Sequence, residues 1–212
     1  MMKLTRTDEP TNPDFDALVR KPGEAFLLTN PSPKYNEWKH HDFWRRIAPT
    51  LRHNYNGICA YSCYFIHEVT GDDTIEHFRP KTPNPTLAYE WTNYRYVCGK
   101  LNTWKRTDEN VIDPFEIEDG WFFIEFPSLL VKPFPGLDPG LTSRIKNTVL
   151  QLKLNDYDPC IRCRQRIIED FCSGDVNFNF LKRQAPFVGL EIERQGLLDT
   201  IWDVMSLKHM KK

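Results

Sequence analysis

The sequence contains no run of 18 apolar residues, so no segment reads as a membrane-spanning helix. Its start, MMKLTRTDEPTNPDFD, lacks the apolar stretch of a secretory signal. It also lacks an excess of charge: 28 Lys and Arg against 29 Asp and Glu give a formal −1, which excludes a histone-like, wholesale electrostatic binder of nucleic acid. No internal repeat and no low-complexity segment is present. Cysteine is sparse, six in 212 residues, too few for a disulfide scaffold, so the thiols read as metal ligands, reactive groups or core fillers. These absences point to a soluble, cytoplasmic protein.

What is present is aromatic bulk: 14 Phe, 8 Tyr and 6 Trp supply large buried areas per residue. A chain of this length should bury roughly 70% of its unfolded surface, enough to fold without a disulfide or a metal. The expectation is an α+β protein of one domain, or one and a half.

Residues 1–34 carry five prolines and few periodic apolar positions, which predicts an irregular arm anchored by Phe26-Leu27-Leu28. From Asn36 to Arg52, Trp38, Phe43, Trp44, Ile47 and Leu51 recur at helical spacing, with Arg45, Arg46 and Arg52 on other faces and Pro49 as a kink or stop. Ile58 to Ile66, after the Asn56-Gly57 turn signal, reads as a buried strand. Further extended runs are Thr74 to Phe78 and Asn93 to Cys98, with a helix beginning after Gly99. Val111 to Phe115 and Trp121 to Phe126 read as strands around Asp119-Gly120, and Leu129 to Gly140 as loop. Two helices broken near Asn155 and Pro159 should fill 141–171, and a last one should run from Gly189 to Met205. The domain expectation is an arm and helix over 1–50, a central core over 51–126 and a mostly helical region over 127–212.

Charge is patterned although its sum is not. Residues 79–106 hold six bases (Arg79, Lys81, Arg95, Lys100, Lys105, Arg106) against Glu90, and residues 107–125 hold seven acids and no base. A positive strip beside a negative one suits a phosphate-binding groove, or two solvated loops of opposite sign.

The informative stretch is IEHFRPK, residues 75–81, followed by YEWTNYRYVCGKLNTWK, residues 89–105. Glu76 and His77 are adjacent in an extended run, Asn93 follows sixteen residues on, and Asn102 and Lys105 fall one helical turn apart on one face. An isolated acid-His pair means little, and a lone His is more often packed or solvated than catalytic. The joint pattern resembles the HNH endonuclease superfamily, whose ββα-metal fold holds one divalent ion between a β-ribbon and a helix.

That resemblance implies His77 as the general base activating water, Asn93 as the residue that orients His77 or braces its loop, and Glu76 and Asn102 as metal ligands. Arg79, Lys81 and Lys105 become phosphate contacts. The chemistry is coherent: an unperturbed His titrates near neutrality, and oxygen donors suit magnesium or manganese rather than zinc. Many HNH proteins add two CxxC pairs around a structural zinc. Here Cys59 and Cys98 each keep the first thiol, while Ser62 and Leu101 replace the second, so no structural zinc is expected there. The aromatics Tyr61, Phe65, Tyr94 and Tyr96 are expected to hold the ribbon instead.

More closely, IEHFRPK, GICAYS and the later VLQLKLND look like the HNH nucleases of retron and Septu-type anti-phage systems. This implies DNA, or else RNA, as substrate, an ATPase partner subunit and a role in defence. The alternatives are a catalytically weak nucleic-acid-binding or adaptor protein with the same fold, and a zinc protein using Cys160 and Cys163.

Overall fold

The structure, a computed structural model, describes residues 1–207 apart from the Tyr157 side chain. The chain is an α+β protein built as two compact units. One comprises Thr5–Cys59 and Ile66–Glu109; the other comprises Met1–Leu4, Ala60–Phe65 and Asn110 onward. This division differs from the three-part expectation: the N-terminal region belongs with the central strands, and residues 110–126 belong with the C-terminal helices.

In the first unit residues 5–14 and 30–34 are irregular, as expected of an arm, but the stretch between them, 15–29, is helical. A π-turn over Asp16–Arg20 runs into α1, Lys21–Thr29, with Pro22 in the first turn, where its missing N–H costs nothing. Its inner face buries Phe15, Val19 and Phe26, while Leu28 is exposed. The helix expected over 36–52 is three pieces: α2, Tyr35–His40; a 3-10 turn, Phe43–Ile47; and α3, Ala48–Asn54. Pro49 opens α3 instead of ending a helix.

Strands β1, Asp73–His77, and β2, Tyr94–Cys98, pair antiparallel with Thr74 opposite Val97, Glu76 opposite Arg95 and His77 opposite Tyr94. Helix α4, Gly99–Lys105, follows β2 directly and packs on both strands. Residues alternate in facing. Thr74 and Glu76 meet α4, whereas His77 meets the N-terminal helical layer through Trp44. Residues 94–97 are all buried, so β2 is covered on both faces and β1 keeps a free edge. The rings on Tyr94 are Phe15, His77 and Trp91; Tyr61 and Phe65, expected to brace this ribbon, belong to the other unit.

In the second unit β3, Phe122–Glu125, pairs with β4, Leu130–Pro133. Strand β4 lies in the stretch read as loop, and Val111 to Phe115, read as a strand, is not one. The amide of Asn155 closes the outer edge of β4, accepting from Val131 N–H at 2.8 Å and donating to its carbonyl at 2.9 Å. Helix α5, Pro139–Gln151, is capped by Asp138, which accepts from the Gly140 and Leu141 amides. Helix α6, Arg162–Cys172, follows as expected. Helix α7, Phe178–Gln184, was not expected, and the single last helix is α8, Pro186–Arg194, and α9, Ile201–Val204, parted at Gly196. Ile58 to Ile66 is largely buried but turned rather than extended, with Cys63 at φ 56°. No helix among the described residues is long and apolar enough to cross a membrane.

Candidate active site

Beside β1 lies a cleft of about 580 Å³, lined among others by Asp72, Asp73, Thr74, Glu76, His77 and Asn102. Glu76 and His77 point to opposite faces of their strand, yet both reach the cleft because β1 is an edge strand. Lining residues from elsewhere are Trp44 and Arg45 of the 3-10 turn, Lys81 of the loop after β1, and Arg106 after α4.

His77 is buried in an aromatic slot, edge-on to Trp44 at 4.6 Å and to Tyr94 at 5.3 Å. Its Nε2 lies 2.9 Å from the Ala88 carbonyl, which can only accept, so Nε2 carries the proton and Nδ1 is left as the basic nitrogen. Burial pushes the imidazole down to about 3, with the Lys81 and Lys105 charges adding to the effect. This corrects the near-neutral value expected from an unperturbed His: the ring stays neutral throughout the physiological range.

The Asn93 side chain bonds to its own loop and not to His77. Its Oδ1 accepts from Arg79 N–H at 2.7 Å, and its Nδ2 donates to the carbonyls of Arg79 at 3.0 Å and Leu87 at 2.9 Å. The amide therefore clips the start of the 78–93 loop to its end, and Leu87 precedes Ala88, the partner of His77. Of the two expectations for Asn93, these bonds match the loop brace.

Helix α4 lies along β1, so residues one turn apart on the helix meet residues two apart on the strand. Asn102 Nδ2 donates to Thr74 Oγ1 at 3.0 Å, and Lys105 Nζ stands 2.7 Å from Glu76 Oε1. Glu76 and Asn102 both line the cleft, one from the strand and one from the helix. The Asn102 amide nitrogen is spent on Thr74, which leaves its oxygen as the donor. One carboxylate and one amide oxygen fit a hard, oxygen-seeking cation that keeps most of its water. Among the described residues no three His, Cys, Asp or Glu side chains form a metal-binding group. Cys59 Sγ accepts from Cys98 N–H at 3.4 Å, so the Cys59 thiol lies against the backbone at the end of β2.

The basic strip does not survive as a strip. Lys105 is fully buried, donating to the Phe78 carbonyl at 2.9 Å as well as pairing with Glu76, so it is a core residue and not a phosphate contact. Arg95 is buried too, and Arg79, Arg95 and Lys105 surround the Phe78 ring at 5.6, 4.9 and 5.2 Å. Arg79 pairs with Glu109 at 2.7 Å and does not line the cleft. Lys81 does line it, 5.3 Å from the Trp44 ring, and burial lowers its pKa. The cations at the cleft are therefore Arg45, Lys81 and Arg106. No spacing rule pointed to Arg45 or Trp44, which arrive from some thirty residues upstream; Arg106 was visible only as one base among six.

No protein-family model matches this chain, and no curated protein matches it.

Proposed function

We propose that this protein is a metal-dependent endonuclease of HNH type, hydrolysing phosphodiester bonds of nucleic acid, DNA in preference to RNA, in bacterial anti-phage defence with an ATPase partner. The observation that carries this reading is the state of His77: it lines a cleft with Glu76 and Asn102, and the Ala88 carbonyl fixes its tautomer so that Nδ1 is free to take a proton. A divalent ion held by Glu76 and Asn102 would supply positive charge against the non-bridging and leaving oxygens. His77 takes the proton of the attacking water at Nδ1, and Trp44 and Tyr94 keep the ring from turning. The low pKa makes His77 a weak base in the free protein; a phosphate anion near Lys81 offsets the cation that depresses it.

A second reading, a binding or adaptor protein that has kept the fold, is favoured by the buried Lys105–Glu76 pair, which already neutralises the carboxylate. The test is incubation of wild type, His77→Ala and His77→Gln with plasmid DNA and a mixed RNA pool in magnesium, manganese or EDTA. Metal-dependent cleavage lost in both variants supports the nuclease and identifies its polymer. Cleavage that persists without His77 would sink this assignment, and binding with no cleavage in any lane, with or without an ATPase subunit, supports the second reading.

A further inference from the structure

Residues 105–108 turn the chain at the end of α4, with Asp108 N–H donating to the Lys105 carbonyl at 3.1 Å. The first central residue, Arg106, has φ 52° and ψ −123°. Those angles are the first central position of a type II′ turn, which glycine ordinarily fills because a Cβ crowds the backbone there. Arginine at this corner costs stability that glycine would not. Local packing returns little: Arg106 is exposed, and no ion pair or hydrogen bond to its guanidinium is found among the described residues. What distinguishes the position is its place. Arg106 and Thr107 line the cleft of His77, and the Arg106 N–H donates to the carbonyl of Asn102 at 3.2 Å.

The cleft needs cations for a reason of its own. Three carboxylates line it, Asp72, Asp73 and Glu76, and they repel an entering polyanion. Glu76 is met by Lys105, and Asp73 accepts from the Tyr96 hydroxyl at 3.0 Å and from Arg52 at 3.4 Å. The same lining holds Lys81 and Arg45, the latter tied to Asp42 at 2.7 Å, and Arg106. A guanidinium offers a phosphate two parallel donors, which an ammonium does not.

We propose that Arg106 is the phosphate-contacting residue of this cleft, held at a glycine corner because substrate binding, not stability, selects the side chain; Lys81 supports it. The proposal rests on the nuclease reading above and names the residue that grips its substrate. It sets affinity and function against stability at one position, so both are measured. The full-length wild type, Arg106→Gly and Lys100→Ala are compared; Lys100 is an exposed base of the same helix that does not line the cleft. Binding of a labelled 30-nucleotide strand, as single-stranded DNA, duplex DNA and RNA, is followed by anisotropy in EDTA at several salt concentrations, alongside thermal melts.

Arg106→Gly is expected to raise Tm by about 2–4 °C, to weaken binding about tenfold and to lower the salt dependence by about one contact. Lys100→Ala should bind within about twofold of wild type. Unchanged affinity in Arg106→Gly, beside a wild type that binds, overturns the phosphate role while leaving the nuclease reading intact. A lower Tm overturns the strained-corner argument. A wild type that binds none of the three strands removes the nuclease reading itself, and this proposal with it.

Discussion

Replacing Asn93 by alanine removes three hydrogen bonds at once and leaves the Arg79 amide, the Arg79 carbonyl and the Leu87 carbonyl without their partner. At about 1 kcal/mol each, and more where the stranded group stays buried, the loss should be about 3 kcal/mol, read as a shift in urea or thermal unfolding. His77 differs in kind, because its effect on stability depends on pH. The unfolded imidazole titrates near its ordinary 6.5, whereas the folded one, kept neutral by burial and by Lys81 and Lys105, takes a proton only near 3. Between those values the unfolded chain binds the extra proton. Stability from this group is therefore complete above 6.5 and falls as pH drops toward 3, by at most about 1.4 kcal/mol per pH unit. His77→Gln should flatten that slope in urea melts at pH 7.5 and pH 5; an unchanged slope would place the acid sensitivity elsewhere. That Glu76, His77 and Asn102 line one cleft was legible because their order along one strand and one helix already implies proximity. The burial of Lys105 was not, since a lysine one turn from Asn102 looks the same whether its partner is a phosphate or a buried carboxylate.

At the scale of elements, the N-terminal helix shows where local rules mislead. Gly23 lies inside α1, so propensity alone predicts that Gly23→Ala stabilises it by nearly 1 kcal/mol. A Cβ there would instead overlap the ring of Tyr89, a buried core residue that donates to the His41 carbonyl at 2.9 Å. Overpacking of this sort costs about 1–3 kcal/mol, so the variant should melt lower than wild type. Five prolines suggested an irregular arm over 1–34, yet one of them, Pro22, stands in the first turn of α1, and Pro49, read as a kink or stop, stands in the first turn of α3, where proline is welcome. The same ambiguity hid β4, whose Pro133 closes the strand at its last position. Ile58 to Ile66 has strand composition, but its pairing is confined to isolated bridges, and tertiary burial holds it in turns instead.

At the scale of the molecule, the two units are interleaved in sequence. Ala60–Phe65 belongs with residues 110 onward although both its flanks belong to the other unit, and Phe65 N–H donates to the Gln184 carbonyl at 2.9 Å. Truncation after Glu109 therefore leaves Ala60, Tyr61 and Cys63, all buried in the whole chain, without the residues that cover them. Such a fragment should aggregate or self-associate on size-exclusion chromatography even though it retains β1, β2 and α4; a monodisperse, folded fragment would contradict this division.

By itself the sequence determined the run of strand, strand and helix from Asp73 to Lys105 and the presence of Glu76, His77 and Asn102 on it, because these depend on local periodicity and on contacts close along the chain. Only the tertiary structure decided which charges stay at the surface. It drew Arg95 and Lys105 inward over Phe78, paired Arg79 with Glu109, brought Arg45 and Trp44 to the cleft and left Arg106 on its strained corner. A charged side chain settles wherever a partner or a desolvated ring is within reach, and that distance is a property of the fold and not of the spacing.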